Sequence, residues 1–192
     1  TLLFSLLMVG NFDNSVGTMQ LEESHSWIAS LGINYHLGVD GISILLVLLT
    51  CFSMPLVFLS TWKAIDDRVK EFHIALLLLQ TGMVGAFVSL DLILFYLFYE
   101  AMLIPMYLII GIWGGRERVY AALKFFIYTM VGSLMMFLAI LYLYQHAGTF
   151  DLPLLLERLR TTHLLGENQQ FWLFCAFTLS FAINVPLFPF HT

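Results

Sequence analysis

The sequence predicts an all-α, polytopic transmembrane helix bundle, and three observations support that prediction. Hydrophobic residues make up 60% of the 192 positions and charged residues 11%, whereas an ordinary soluble domain has roughly 45–50% and about 25%. The mean hydropathy of the whole chain is +0.88, which a single anchor helix diluted by a soluble remainder would not reach. The apolar runs are continuous rather than alternating, which disfavours the strands of a membrane barrel.

The apolar segments are long enough to cross a bilayer as helices, because about 20 residues at about 1.5 Å each span a hydrocarbon core of about 30 Å. Residues 1–10 are apolar without a positive leading region, so we interpret them as a truncated first span rather than a signal peptide. The five segments that follow cover approximately residues 40–62, 72–90, 92–113, 120–144 and 170–190. We expect one membrane domain over residues 1–192, with a tight helical hairpin at the polar break 89–91, and we expect the chain to be a fragment.

Lys and Arg are concentrated in two short loops, and their placement predicts the orientation of the bundle. The loops hold Lys63, Arg68 and Lys70 in one case and Arg116 and Arg118 in the other. An even number of predicted spans separates the loops, so both can lie on the cytoplasmic side. The loop over residues 11–38 has no Lys or Arg, as expected of an outer loop. Residues 151–160 predict a short amphipathic helix at the interface.

Several function classes are disfavoured by what the sequence lacks. The net charge is -5 and basic residues are few, which argues against nucleic acid as a partner. Cys51 and Cys175 lie far apart inside apolar runs, so they predict neither a disulfide framework nor a metal motif. No GxGxxG, P-loop, HExxH or iron–sulfur cysteine cluster is present, and the histidines do not form facing pairs suited to haem. We predict no cofactor and no redox centre in this chain.

Glu100 is the strongest candidate for a functional group. It follows Asp91 by about nine residues, or about 13 Å along a helix, which places it close to the bilayer centre. An ionised carboxylate there is costly unless it is paired, so such residues are functional-site candidates by default. Desolvation favours its protonated form and a nearby cation favours the charged form, so a neighbour can switch its protonation state. The alternative is a neutral glutamic acid that hydrogen-bonds between helices.

Two further residues bear on how Glu100 could work. Pro105 removes one backbone hydrogen bond and can kink the same helix, which would leave a place for water; alternatively it is one of the prolines that are common in membrane helices. Lys124 lies about one and a half turns inside the next span. It could snorkel to the headgroups as an anchor, or turn inward toward Glu100. On the same span, Gly132 and Ser133 are small enough to permit close helix contact.

The last apolar segment contains Asn184, Pro186, Pro189 and His191 near the expected membrane depth. Interrupted helices in transporters line cavities and expose backbone groups to ions or protons, and a solvated histidine titrates near neutrality. The alternative is that the span ends at Asn184 and the prolines belong to a loop. The proton-relay candidates are therefore Glu100, Lys124, Asn184 and His191.

Four stretches of the chain resemble a known family. They read SLGINYHLGVDGISILLVLLT, LFYLFYEAMLIPMYLIIGIWGG, RVYAALKFFIYT and NVPLFPFHT. They are similar to the antiporter-like membrane subunits of bacterial NADH-quinone oxidoreductase, respiratory complex I, and to the M-type (subunit 4) branch more than to the L or N branches. The resemblance implies a bundle of about fourteen helices built from two inverted repeats, of which this chain contains the beginning and most of the first repeat.

The resemblance also assigns a role to Glu100, which matches the essential glutamate of the family. In that family the glutamate works with a lysine on a broken later helix, and this chain has Asn184 at that lysine position. An amide cannot carry a titrating positive charge. Three explanations stay open: another group such as Lys124 takes its place, this subunit has lost pumping, or Asn184 is a sequence variant.

Three hypotheses about function follow. The first is a proton-translocating subunit without redox centres, coupled to quinone reduction elsewhere in complex I, beside L-like and N-like chains in a bacterial plasma membrane. The second is a subunit of the related cation/proton antiporters. The third is a structural membrane module without transport.

Overall fold

The computed structural model describes residues 1–13, 15–162, 164–185 and 187–188. Helices account for 71% of it, which confirms the predicted all-α membrane fold class. The described part contains α1 (Leu2–Asn11), β1 (Gln20–Ile28), a 3-10 turn (Ala29–Leu31), β2 (Ile33–Val39), α2 (Ser43–Thr61), α3 (Val69–Val88), α4 (Leu92–Ala101), α5 (Leu103–Trp113), α6 (Arg118–Ala147), α7 (Leu152–Thr162) and α8 (Glu167–Asn184).

Four helical segments among the described residues are long and apolar enough to cross a membrane. They are α2, α3, the combined α4 and α5 over Leu92–Trp113, and α6. The helix α1 is apolar but shorter. The helix α8 begins with four polar residues, 167–170, and ends at Asn184; the remainder of the fifth predicted span lies mostly outside the described residues.

The two basic loops lie at the same end of the bundle. The indole Nε1 of Trp113, the last residue of α5, donates a 2.8 Å hydrogen bond to the carbonyl oxygen of Asp67 in the α2–α3 loop. The Trp113 ring also packs edge-on against Phe72 near the start of α3, with ring centroids 5.1 Å apart. This is the end that the distribution of Lys and Arg predicts to be cytoplasmic.

The opposite end carries an antiparallel β-hairpin that the sequence analysis treated as an outer loop. Strands β1 and β2 pair with each other, and β2 is attached to the ends of the membrane helices. The Leu90 amide donates to the His36 carbonyl, at 2.8 Å, and the Leu152 amide donates to the Leu90 carbonyl, also at 2.8 Å. The hairpin therefore ties together the α3–α4 connection and the start of α7.

Asp91 explains why α4 begins where it does. Its side chain is fully buried, and Oδ1 accepts hydrogen bonds from the amides of Ile93 at 2.9 Å and Leu94 at 3.2 Å. Oδ2 accepts from the Asn34 amide of β2 at 3.1 Å. Because helix-opening amides have no partner within the helix, one carboxylate both caps α4 and holds the hairpin.

Glycines allow close approach of the helices around the candidate site. A Cβ atom on Gly85 of α3 would lie 2.4 Å from the Phe98 ring of α4, and one on Gly132 of α6 would lie 2.7 Å from Ile183 of α8. Real Cβ atoms do not approach other atoms so closely, so larger residues there would force the helices apart. The backbones of α3 and α4, and those of α6 and α8, are thus held near one another.

Candidate functional site

The span that carries Glu100 lacks one backbone hydrogen bond just after that residue. Helix α4 ends at Ala101 and α5 begins at Leu103, with Met102 between them. Pro105 is buried in the first turn of α5 and has no N–H to give to the Ala101 carbonyl, which removes one rung of the helix ladder. The sequence suggested a kink here; the structure lacks this one backbone hydrogen bond, while Met102, two residues beyond the carboxylate, keeps helical backbone angles of φ -68° and ψ -26°.

The Glu100 side chain is only partly accessible, and its Oε1 atom is buried with no hydrogen-bond partner among the described residues. Tyr96, one turn earlier on α4, lies beside the carboxylate and beside the Ser133 hydroxyl of α6. The Tyr96 ring stacks on Phe137 with centroids 4.8 Å apart. A buried carboxylate oxygen without a donor is a place for a proton or a water molecule.

Asn184 bonds to Tyr99, the residue that precedes Glu100 on α4. Its Nδ2 atom lies 2.5 Å from the Tyr99 hydroxyl oxygen and 3.1 Å from the Ser180 carbonyl oxygen. The Tyr99 ring packs edge-on against Phe181 with centroids 6.2 Å apart. Because Tyr99 precedes Glu100 directly, Asn184 connects the end of α8 to the helix that carries the carboxylate.

Ser180 adds a second buried polar atom to the same region. Its residue is fully buried, and its Oγ has no hydrogen-bond partner among the described residues. The hydroxyl lies beside that of Tyr99. Unpaired buried hydroxyls are costly in a membrane interior. We call the row of polar side chains that runs from Ser133 past Tyr96 and Glu100 to Ser180 the polar seam.

Lys124 is not part of this seam. Its side chain is exposed and lines an open groove with apolar neighbours such as Leu123 and Ile127. At about 100° per residue, the nine positions between Lys124 and Ser133 leave the two side chains on opposite faces of α6. The Lys124 side chain therefore lies on the opposite face of α6 from Ser133, and its role as an anchor or a relay residue stays a prediction.

His191 and the two prolines, Pro186 and Pro189, lie outside the described residues. Of the four relay candidates, Asn184 is bonded to Tyr99, the residue before Glu100 on α4. Tyr96, Tyr99 and Ser180 lie in the same region and were not among the candidates that the sequence predicted. The spacing of four between Tyr96 and Glu100 was a usable signal, because such pairs share a helix face.

The fold defines a polytopic membrane protein of the helix-bundle class, and comparison with known proteins gives the family. The profile described as "NADH:quinone oxidoreductase/Mrp antiporter, TM" matches residues 89–192, and "NADH-ubiquinone oxidoreductase chain 4, amino terminus" matches residues 1–86. The chain belongs to the NADH:quinone oxidoreductase/Mrp antiporter family of membrane subunits. The resemblance to the subunit 4 branch of that family is confirmed.

The similarity extends over the whole chain. NADH-quinone oxidoreductase subunit M of Rhodobacter capsulatus is 51% identical over 201 aligned residues, which cover 100% of this chain and 38% of that protein. The chain thus spans 38% of the length of the curated relatives that it matches.

Solved structures give the same fold. A chain of respiratory complex I from Thermus thermophilus with bound NADH superimposes with a TM-score of 0.84 at 34% identity, over 98% of this chain and 39% of that one. A chain of the Mrp complex from Dietzia sp. DQ12-45-1b gives a TM-score of 0.85 at 14% identity, over 99% and 20%. The second likeness shows the fold alone.

Proposed function

We propose that this chain forms part of the proton-translocating membrane subunit of an NADH:quinone oxidoreductase, and that Glu100 takes up and releases the proton. The observation that carries the proposal is the Glu100 Oε1 atom, which is buried inside the bundle without a hydrogen-bond donor. A neutral packing residue would satisfy that oxygen, because unpaired buried polar atoms cost about 1–3 kcal/mol.

The surroundings of Glu100 support proton transfer. Pro105 removes one backbone hydrogen bond of the helix that carries Glu100, and a carbonyl group freed in this way in a membrane helix can be satisfied by water. Tyr96 places its hydroxyl group beside the carboxylate, and a hydroxyl can both give and accept a proton. A proton can therefore pass between the Glu100 carboxylate and the Tyr96 hydroxyl.

The setting of the chain follows from the same proposal. Electron transfer takes place in other subunits, and this chain has no cofactor of its own, in keeping with the missing cofactor motifs. Its partners are other membrane subunits of the complex, L-like and N-like chains among them. The 51% identity with the Rhodobacter capsulatus subunit supports a bacterial plasma membrane as its location.

The test is Glu100→Gln in the complete complex in its own membranes. We expect assembly and NADH:quinone reductase activity without a matching proton gradient, because an amide keeps the shape of the side chain and cannot carry the proton. Proton translocation is measured in membrane vesicles as dye quenching driven by NADH. Glu117→Gln, at an exposed position before α6, is the matched control and should pump normally.

Normal pumping by an assembled Glu100→Gln complex would contradict the proposal and favour a structural module. The same vesicles also separate proton pumping from cation exchange. If NADH-driven acidification requires added Na⁺ or K⁺, the subunit exchanges that cation for protons. The proposal that it translocates protons alone would then be wrong.

A further inference from the structure

A cavity opens at the end of the bundle where α2 ends and α3 begins. Its volume is about 520 Å³. Both helices are long and apolar enough to cross a membrane, so a cavity at their shared end lies at the depth of the lipid headgroups. The residues that line it are Trp62, Ile65, Asp66, Val69, Lys70 and His73. The molecules that surround this cavity in a membrane are therefore phospholipids.

The cavity has side chains of opposite charge that are both free. Asp66 and Lys70 are exposed, and within the described ranges neither side chain has a hydrogen bond or an ion pair. Arg68 and Glu71 beside them do pair, with Nη1 and Oε2 3.8 Å apart. A free anionic group and a free cationic group on one cavity complement a ligand that carries both charges. The headgroup of a zwitterionic phospholipid is such a ligand.

His73 adds an acceptor of fixed direction to the same cavity. Its Nδ1 atom lies 2.6 Å from the Val69 carbonyl oxygen, which can only accept, so Nδ1 carries the hydrogen. In the neutral ring the Nε2 atom is then an acceptor. The ring stacks on Phe58 of α2, with centroids 5.1 Å and planes 7° apart, which keeps it in this orientation. Nε2 thus joins the Asp66 carboxylate as a second acceptor for N–H groups.

We propose that this cavity is a binding site for the headgroup of phosphatidylethanolamine. The Lys70 ammonium group donates to the lipid phosphate, and the primary ammonium group of the lipid donates to the Asp66 carboxylate and to His73 Nε2. A choline headgroup has no N–H to donate, and a glycerol headgroup would leave a net negative charge beside Asp66. Trp62, which is 74% exposed, has the place of an interfacial belt residue. The site is separate from Glu100, so the inference does not rest on the proposed function.

Apolar side chains continue from the cavity toward the membrane interior. On α3, Ile74 and Leu78 follow Lys70 in steps of four, which places the three on one helix face, and both apolar side chains are 57% exposed. On the last turns of α2, Leu56 and Leu59 are 53% and 70% exposed. Each helix thus offers an apolar face to one acyl chain of a lipid whose headgroup is in the cavity.

A carbodiimide detects the contact between the lipid ammonium group and Asp66. The reagent takes up one oxygen of the carboxylate and two hydrogens of the ammonium group as a urea, and an amide bond joins the lipid to the side chain. The complete complex is reconstituted in vesicles of phosphatidylethanolamine and phosphatidylcholine, and lipid-modified peptides are measured by mass spectrometry. Asp67 and Glu71 are exposed in the same segment and do not line the cavity. We expect about tenfold more coupling at Asp66 than at either, the factor that one charge-assisted hydrogen bond supports.

Three variants separate the contacts, with NADH:quinone reductase activity as the check that the complex is intact. Lys70→Gln removes the charge that holds the phosphate, and His73→Phe keeps the ring stacking on Phe58 and removes Nε2. Each should lower the coupling at Asp66 about fivefold or more. Lys63→Gln is the matched control, because Lys63 lines a separate cavity, and it should leave the coupling unchanged.

Coupling at Asp66 that does not exceed that at Asp67 and Glu71 would show chance encounters at the membrane surface and overturn the site. Unchanged coupling in either Lys70→Gln or His73→Phe would overturn the proposed headgroup contacts. Vesicles in which phosphatidylglycerol replaces the phosphatidylcholine test the other ligand. Coupling at Asp66 should persist in them, and its loss would mean that the cavity takes an anionic headgroup and that the proposal is wrong.

Discussion

His36 and Asp151 are 115 positions apart in the chain, and their side chains are joined by a 2.6 Å hydrogen bond between Nδ1 and Oδ2. The other ring nitrogen of His36 faces Glu22 of β1, with Nε2 and Oε2 3.5 Å apart. His36 thus connects both strands of the hairpin to the segment before α7.

His36→Ala should loosen the hairpin. The exposed fraction of the His36 side chain is 11%, and that of Asp151 is 21%, so the contact is partly shielded from water. Hydrogen bonds to charged groups contribute about 1.5–3 kcal/mol, and we expect a loss of about 1–3 kcal/mol in the free energy of unfolding in detergent. Limited proteolysis between residues 15 and 35 should become faster in the same variant.

His25→Ala is the matched control for that substitution. His25 contacts Glu23 on the outer strand at 3.1 Å, and both side chains are more than 60% exposed, at 69% and 62%. Exposed pairs contribute about 0–1 kcal/mol. Equal losses in the two variants would show that the contact with Asp151 does not hold the hairpin.

Asp91→Ala should be more damaging than the loss of an ordinary helix cap. Cap removal costs about 0.5–2 kcal/mol, and here the amides of Ile93, Leu94 and Asn34 lose their acceptor in a buried place. We therefore expect a loss of about 2 kcal/mol or more in the free energy of unfolding. Asp91→Asn keeps an acceptor oxygen and should lose less. A smaller effect for Ala than for Asn would contradict the capping role.

Asp40 is a half-exposed residue whose carboxylate accepts backbone hydrogen bonds at the start of α2. Asp40→Ala is therefore the variant to compare with Asp91→Ala. The Ser43 backbone N–H, at 2.7 Å, holds the pKa of the Asp40 carboxyl below its usual range. Because the folded pKa is the lower one, this stabilisation is present above the unfolded pKa of about 4 and is lost as pH falls through the folded value. The difference in the free energy of unfolding between the wild type and Asp40→Ala should therefore become smaller in acid.

The fold class follows from the sequence because continuous apolar runs have few folded solutions in a bilayer. The hairpin does not follow from it. Its strands are polar, and what attaches them is a set of backbone bonds to residues 90 and 152 and the buried side chain of Asp91. Such long-range bonds leave no local periodicity, so Asp91 looked like a simple polar break between two helices.

Gly132→Val should separate α6 from α8 and disturb the polar seam. A Cβ at position 132 would lie 2.7 Å from Ile183, whose neighbour Asn184 bonds Tyr99. Overpacking of this kind costs about 1–3 kcal/mol, and we expect proton translocation to fall with the thermal midpoint Tm. Gly10→Val, where no atom lies within 4 Å of an added Cβ, is the control. A stable Gly132→Val protein with normal pumping would contradict the need for this close contact.

The site was only partly predictable for a related reason. Glu100 is recognisable because a lone carboxylate in an apolar run is expensive, whereas tyrosine and serine are ordinary residues in a membrane helix. Tyr99 and Ser180 become a pair only when α4 and α8 are packed together. The role of Lys124 could not be chosen from sequence, since its helix face depends on which neighbours cover α6.

Asn184→Lys separates the explanations for the missing lysine. An ammonium group has only donors, so a lysine at 184 can still donate to the Tyr99 oxygen and leave the hydroxyl hydrogen free. We expect proton translocation per NADH to stay at the wild-type level in vesicles of the complete complex, because the direction of the Tyr99 bond is unchanged. A clear gain in pumping would mean that the wild-type chain lacks a charge that Glu100 needs, and that the hydrogen bond from Asn184 to Tyr99 does not replace it. The comparison with Asn184→Asp decides between the two, since both substitutions introduce a charge and only the aspartate reverses the hydrogen bond.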